Sequence, residues 1–386
     1  MTHPTGIKDQ AAIVGIASTP FAKSLEKSEK HLAVQVIVEA LEDAGIDPSE
    51  VDAFSSYTME NTAEVEIAKN IGAGDISFFS QIAYGGGGSC ATIGHLAMAV
   101  ATGQARVGVA WRSRKRGSGG RPWASANVGL PTPLQWTRPF GLLRPADEIG
   151  MLTRRYMHEF GATRDHLANV ALACRHHANM NPNAMMYEKP MTRDDYMNAR
   201  WISEPLCLFD NCLETDGALA AIIVSADRAR DCKQPPVYIH SFGQGLPAQS
   251  QTMVNYFCDE PLKGPAWACA KQLWRNSDFG PQDVDVAQIY DAFTTLIPLS
   301  LEGYGFCELG EGAAFTENGA IEIGGKLPVN TSGGGLSEAY VHGFNLINEA
   351  VRQMRGTSTA QVPDAQTCLV TAGEGVPTSA VLLRRD

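Results

Sequence analysis

The sequence predicts an α/β fold built from two copies of one unit, and two repeated patterns predict it. The first pattern is a helix, a glycine, an acidic turn containing proline, a Val-Asp pair and a strand. It occurs as Gly45, Asp47-Pro48-Ser49-Glu50-Val51-Asp52 and Ala53-Phe54. It recurs as Gly280-Pro281-Gln282-Asp283-Val284-Asp285 and the strand from Val286 to Tyr290. The second pattern is a glycine run that opens a helix and leads to a strand. Gly85-Gly86-Gly87-Gly88 precedes a helical stretch from Cys90 to Thr102 and a strand from Ala105 to Trp111. Gly333-Gly334-Gly335 precedes a helix ending near Arg355 and a strand from Cys368 to Thr371. One order of punctuation occurring twice is the mark of an internal duplication.

The remaining elements follow in chain order. Ala11 to Ile16 is a short apolar run and reads as a buried strand. From Ser28 to Ala44, Leu32, Val36, Ala40 and Ala44 recur at the spacing of a helix face, and Gly45 closes the helix. Between Trp111 and a strand from Leu219 to Ser225 lies a long stretch rich in Gly, Pro, Arg and Met, with helices from Ile149 to Phe160 and from Asp165 to Asn179. A segment of that length is a functional insertion rather than a connector, and it is expected to shape the substrate pocket. Asp227 to Gln234 leads into the second copy. The expected organisation is therefore a first half over 1–230, with the insertion at about 112–210, and a second half over 231–386.

Composition narrows the function. The chain has 386 residues, 44% of them hydrophobic, and a net charge of −11, which gives it no general attraction for nucleic acid or anionic membrane. Arg112, Arg114, Lys115 and Arg116 form a local basic patch, readable as an anion site or as a solvated loop. The nine cysteines contain no CxxC pair and no zinc-ligand spacing. An odd count, a polar N-terminus and no apolar run of membrane-spanning length fit a reducing cytoplasm.

Several residues are candidates for chemistry. Glycine turns before helices bring backbone N–H groups to a ligand, and both repeats have one. They can serve as oxyanion sites or as tight packing points. Tyr290 ends a strand and Tyr340 is expected early in the helix after the second glycine turn, so two phenols can share a pocket at one sheet edge as proton donor and acceptor. His342 can polarise a carbonyl, with Asp291 close in sequence to Tyr290. Cys90, at a helix start, is a conceivable nucleophile or a buried thiol.

These landmarks resemble the thiolase superfamily across nearly the whole chain. The stretch from Asn330 to Gly343 resembles the motif in which Asn, Gly-Gly and later Gly-His-Pro follow a strand. Tyr290-Asp291-Ala292-Phe293 resembles Asn-Glu-Ala-Phe, Thr371-Ala372-Gly373-Glu374-Gly375 resembles Cys-x-Gly-Gly-Gly, and Asp216-Gly217-Ala218 matches the Asp-Gly-Ala before the last strand of the first half. The resemblance implies a thiolase fold, with duplicated βαβαβαββ halves in layers of helices and sheets. The departures are chemical. Counting back from Ala101-Thr102-Gly103, the nucleophile position falls on Gly86, and Cys90 comes one turn too late. The histidine of Gly-His-Pro falls on Tyr340, the second cysteine on Thr371, and the Asn or His of the oxyanion site on Tyr290. Claisen chemistry needs a thiol and a base at those places.

Within the superfamily the chain is similar to thiolase-like lipid-transfer proteins of bacterial steroid catabolism, the steroid side-chain aldolases. Arg154-Arg155-Tyr156-Met157-His158, Glu214-Thr215-Asp216-Gly217, Gly305-Phe306-Cys307 and Thr371 to Pro377 carry that similarity. It implies retro-aldol cleavage of a 17-hydroxy steroid C20-carboxyl-CoA to a 17-ketosteroid and propionyl-CoA, with coenzyme A as part of the substrate and no other cofactor. Tyr290 and Tyr340 are then expected as base and acid, Tyr340 preferred as the base with the order left open, and amides of Gly86, Gly335 or Gly375 as holding the enolate oxygen. The resemblance further implies a homodimer and a small OB-fold, zinc-ribbon partner, often fused to a MaoC-like hydratase. The competing readings are a non-catalytic acyl-CoA carrier and a thiolase using Cys90.

Overall fold

A computed structural model describes residues 6–119, 135–249, 253 and 258–386. Residues 120–134 of the expected insertion lie outside the described residues. The first half contributes β1 (Ala11–Ser18), β2 (Ala53–Tyr57), β3 (Phe78–Ile82) and β4 (Val107–Lys115). A two-stranded ribbon, β5 (Trp201–Ser203) and β6 (Leu206–Cys207), belongs to the insertion, and β7 (Asp216–Ser225) follows it. The second half contributes β8 (Val237–Gly245), β9 (Val286–Gln288), β10 (Thr367–Thr371) and β11 (Thr378–Arg384).

The strand order is β3-β2-β4-β7-β1-β8-β11-β10-β9, and the pairing in one half repeats in the other. β1 is antiparallel to β7, β7 to β4, and β4 is parallel to β2. Likewise β8 is antiparallel to β11, β11 to β10, and β10 is parallel to β9. The two sets meet where β1 and β8 pair through Ala12–Tyr238 and Ile13–Val237. The counterpart of β3 is reduced to a single parallel bridge between Ala287 and Val329. The duplication read from punctuation is thus a duplication of topology.

Helices pack against this sheet. Glu29–Ala44 covers β1, β4 and β7, while Pro265–Arg275 covers β8 and β11. Each buries one face; for the first these are Leu32, Val36, Ile37, Ala40 and Leu41. Ser89–Ala101 and Phe344–Arg355 instead pack against strands of both halves. A helix covered on two sides must be apolar or small nearly all round, which explains the buried run from Ser89 to Gly94. The starts of these two inner helices lie close together, and the candidate residues converge there.

Three expectations need correction. β4 runs to Lys115, past Trp111, so Arg112, Arg114 and Lys115 are strand and not loop, and Arg116 sits in the turn that follows. Arg112 is fully buried, and Arg114 and Arg116 are 9% exposed. Strand β9 stops at Gln288, two residues before Tyr290. Finally, the helix after Gly333-Gly334-Gly335 is broken into Gly334–Ser337 and Phe344–Arg355, and Tyr340 lies in the break. His342 at φ 51° and Gly343 at φ 79° are left-handed, a conformation an α-helix cannot include. Among the described residues no helix is long and apolar enough to cross a membrane.

Candidate active site

Tyr290 and Tyr340 come from opposite sides of the second half's glycine turn and meet hydroxyl to hydroxyl. Their Oη atoms are 2.5 Å apart, and either can donate. The Tyr290 N–H donates to Thr371 Oγ1 at 3.2 Å, so the residue in the second-cysteine position supports the first phenol. Thr215 Oγ1 clamps Tyr340 from both sides, accepting from its N–H at 3.0 Å and donating to its C=O at 3.1 Å. Burial raises both phenols above their ordinary value. For Tyr340 the hydrogen bond from Tyr290 and the charges of Arg116 and Arg112 act in the opposite direction, favouring the phenolate. For Tyr290 the neighbouring Tyr340 adds to the rise.

Glycines make room for this arrangement. A Cβ on Gly86 would lie 1.9 Å from Tyr290 Oη. One on Gly343 would lie 2.8 Å from Tyr290 Cδ2, and one on Gly373 would lie 3.0 Å from Cε1. Real Cβ atoms do not approach that closely at Gly86, so the Tyr290 hydroxyl occupies the space a nucleophilic side chain would need. Gly86 lines the cavity, and an N–H in the first turn of a helix has no intrahelical acceptor.

The other two glycine amides expected to hold the enolate oxygen are engaged. The Gly335 N–H donates to Asp291 Oδ1 at 2.7 Å, and Leu336 N–H donates to Oδ2 at 3.2 Å. Asp291 is thereby a brace for the glycine turn; burial raises its carboxyl to about 6 while these two amides pull it down. The Gly375 N–H is directed at the Glu374 carboxylate, which also accepts from Ala266 N–H at 2.7 Å. His342 fits the donor role better than either. It is 5% exposed, its ring lies 5.4 Å from that of Tyr340, and Arg112 Nη2 is 2.8 Å from its Nδ1. Arg112 is in turn paired with Glu60 at 3.1 Å, a residue the motifs do not mark.

Burial raises the Glu374 carboxyl to about 8. An acid raised in the folded state binds its proton more tightly there than when unfolded. Its contribution is whole below the unfolded value near 4.5 and is lost as pH rises through about 8. The melting temperature is expected to fall between about pH 5 and about pH 8, and Glu374→Gln is expected to flatten that slope. Thermal unfolding followed across that range checks it.

Cys90 is not part of the site. It is fully buried, its Sγ donates to Val370 C=O at 3.4 Å, and burial raises the thiol far from reactivity. Desolvation outweighs the helix start at Ser89. Cys90→Ala is expected to leave turnover within about twofold while costing about 1 kcal/mol of stability, and native Cys90 is expected to resist iodoacetamide. Kinetics and mass mapping of alkylated peptides check both.

Two joined cavities reach the tyrosine pair. One, of about 350 Å³, is apolar, with Met59, Ile149, Leu296 and Val376 in its wall beside Gly86, Tyr290 and His342. The other, of about 480 Å³, is basic, with Lys23, Arg116, Arg144, Arg175 and Arg200 against Glu214 as the acidic group in its described lining. Arg116, Pro145, Cys212, Phe293 and Tyr340 line both. Among the described residues, the insertion supplies most of the basic cavity's lining and Arg116, Pro145 and Ile149 of the apolar one's.

The comparisons with known proteins agree with this geometry. A family model for thiolase C-terminal domain-like sequences matches residues 251–383. The chain is 46% identical over 98% of its length to the 17-hydroxy-3-oxo-4-pregnene-20-carboxyl-CoA lyase of Mycobacterium tuberculosis, all of which is covered. It is 44% identical over 97% of its length to the steroid side-chain-cleaving aldolase of Thermomonospora curvata, 98% of which is covered. The solved Ltp2-ChsH2(DUF35) aldolase superposes with a TM-score of 0.95 at 44% identity, over 99% of both chains. A glycine in place of the thiolase nucleophile, a tyrosine pair facing it and full-length identity of this extent lead to one assignment: the chain belongs to the family of steroid side-chain-cleaving aldolases within the thiolase superfamily.

Proposed function

We propose that the chain cleaves the C17–C20 bond of a 17-hydroxy steroid C20-carboxyl-CoA, giving a 17-ketosteroid and propionyl-CoA. The observation that carries this reading is the 2.5 Å Tyr290–Tyr340 contact in the space of a thiolase nucleophile. No covalent acyl intermediate is available without a thiol there, whereas a retro-aldol needs only proton transfer and enolate stabilisation. Tyr340 accepts the proton of the 17-hydroxyl. The C17–C20 electron pair passes into the thioester as an enolate, and Tyr290 protonates C20.

The contact between the phenols resolves how two raised groups act near neutrality. The proton leaving the 17-hydroxyl reaches Tyr340 as the Tyr340 proton passes to Tyr290 and the Tyr290 proton passes to C20. Both phenols begin and end neutral, so no free phenolate has to form. Gly86 N–H and His342 face the enolate oxygen, and a preorganised donor of that kind is worth roughly 3 kcal/mol of barrier. The charge division of the cavity supports an orientation, with the phosphates of coenzyme A at the basic end and the steroid nucleus in the apolar end. No cofactor enters this scheme beyond the coenzyme A of the substrate.

The assembly belongs to the same proposal. Edge strand β3 leads directly into the Gly86 turn and exposes Phe79, which supports pairing of two copies along that edge. A small OB-fold, zinc-ribbon protein of the DUF35 type is the proposed partner, and the cytoplasm the proposed compartment. The test is mass spectrometry of products after mixing the chain, with and without such a partner, with a 17-hydroxy steroid C20-carboxyl-CoA. Equal amounts of 17-ketosteroid and propionyl-CoA support the aldolase. Bound but unchanged substrate under both conditions refutes it in favour of a carrier.

A further inference from the structure

A Glu60–Arg112–His342 chain crosses the site, and its Glu60–Arg112 part is used by none of the steps above. Arg112 lies on β4 of the first half, and its guanidinium is buried over the Tyr57 ring at 4.7 Å. One end of it holds Glu60 Oε2 at 3.1 Å, and Glu60 is itself fixed by Ser113 through its N–H at 2.9 Å and its Oγ at 2.7 Å. The other end reaches His342 Nδ1 at 2.8 Å. A guanidinium carries five N–H donors and no acceptor. The direction of that bond is therefore decided by chemistry: Nδ1 must accept. A neutral imidazole that accepts at Nδ1 carries its proton on Nε2. Cε1, the carbon between the two ring nitrogens, lies 3.8 Å from where a Gly85 Cβ would stand, and the ring lines the same cavity as Gly85 and Gly86.

We infer that Arg112 is a positioning residue, locking His342 in its neutral Nε2–H tautomer so that Nε2–H is a fixed donor to the thioester oxygen. The inference rests on the aldolase reading for what the donor does, and on geometry for which proton is present. The backbone supports it. His342 sits at φ 51°, and Tyr57 Oη donates to its carbonyl at 3.4 Å, so the ring is presented by a loop that cannot relax into helix. The groups facing the imidazole are Tyr57 at 6.3 Å and Tyr340 at 5.4 Å between ring centres, with Arg112 in contact, Arg114 farther along the strand and Arg116 just beyond its end. Burial and these three cations keep the ring neutral, well below its usual titration range. A neutral donor polarises the thioester without handing its proton to the enolate oxygen, which leaves protonation to Tyr290 at carbon.

The test begins with the full chain labelled with ¹⁵N-histidine. His342→Gln identifies the His342 signals among the nine histidines. In the wild type, Nδ1 is expected to be unprotonated and Nε2 protonated from about pH 5 to about pH 8. Arg112→Gln offers both a donor and an acceptor, so the tautomer is no longer dictated. Its His342 signals are expected to show mixed tautomers or a titrating ring, and kcat to fall about 10- to 100-fold with KM within about twofold. Arg112→Lys, which also donates without accepting, is expected to recover most of kcat and the wild-type tautomer. A proton on Nδ1 in the wild type overturns the inference, as does a folded Arg112→Gln with unchanged kcat or an unchanged tautomer. Should Arg112→Gln fail to fold because Glu60 is left without a counter-charge, Arg112→Gln/Glu60→Gln removes both charges and carries the same expectations. A wild type without turnover would sink the aldolase reading instead, and the tautomer measurement would still stand.

Discussion

Tyr340→Phe is expected to lower kcat for carbon–carbon cleavage by about 10³-fold while KM changes less than about threefold. The substitution removes one oxygen. It leaves the ring, the Thr215 clamp on the backbone and the shared wall of the two cavities in place. What is lost is the acceptor for the 17-hydroxyl proton and the link to Tyr290. Because the proton travels through both phenols, Tyr290→Phe is expected to cost a similar factor. The double variant should be little worse than either single one, since residues that act as a unit are not additive. Single-turnover kinetics on the three variants checks this. Additive losses would mean that the phenols act independently, and the relay would fail.

Gly86→Ala is expected to lower kcat by at least about 10³-fold and to destabilise the fold by about 1–3 kcal/mol. The added methyl would stand 1.9 Å from Tyr290 Oη. The phenol has little room to step aside, because Gly343 and Gly373 lie beside its other edges, close enough that an added Cβ at either would stand 2.8 or 3.0 Å from the ring. The usual remedy of rotating a flexible chain end is closed, and the ring or the turn must shift. Gly86→Ala/Tyr290→Ala is then expected to recover much of the melting temperature and none of the turnover. Gly86→Cys, which restores the residue type of a thiolase nucleophile, is expected to form no acyl-enzyme for the same steric reason. Calorimetry and intact-mass measurement after incubation with an acyl-CoA read these outcomes.

The duplication was legible because it is written in local chemistry. A glycine closing a helix, a proline-bearing acidic turn and a glycine run before a helix each impose backbone geometry through a few adjacent residues. Their repeated order therefore survives as a pattern. The outer helix Glu29–Ala44 was legible from its apolar spacing for the same reason. The role of Arg112 and Arg116 was partly written too. Arg112 and Arg114 alternate along β4 and Arg116 follows just past its end, a period of two that signals one strand face. Charge argued for a loop, and the buried partner Glu60, 52 residues away, could not be seen from either position.

By itself the sequence determined the α/β class, its duplication, the loss of the thiolase thiols and the pair of tyrosines standing in motif positions. The tertiary structure decided which groups are free to act. It engaged the Gly335 amide with Asp291, directed Gly375 at Glu374, buried Cys90 against β10 and set two phenols 2.5 Å apart from positions 50 residues distant. The physical reason is that backbone punctuation is a property of neighbours in the chain, whereas a hydrogen-bond donor's availability depends on whatever acceptor folding brings beside it. Availability, more than residue type, separates a proton relay from a packed pair of rings.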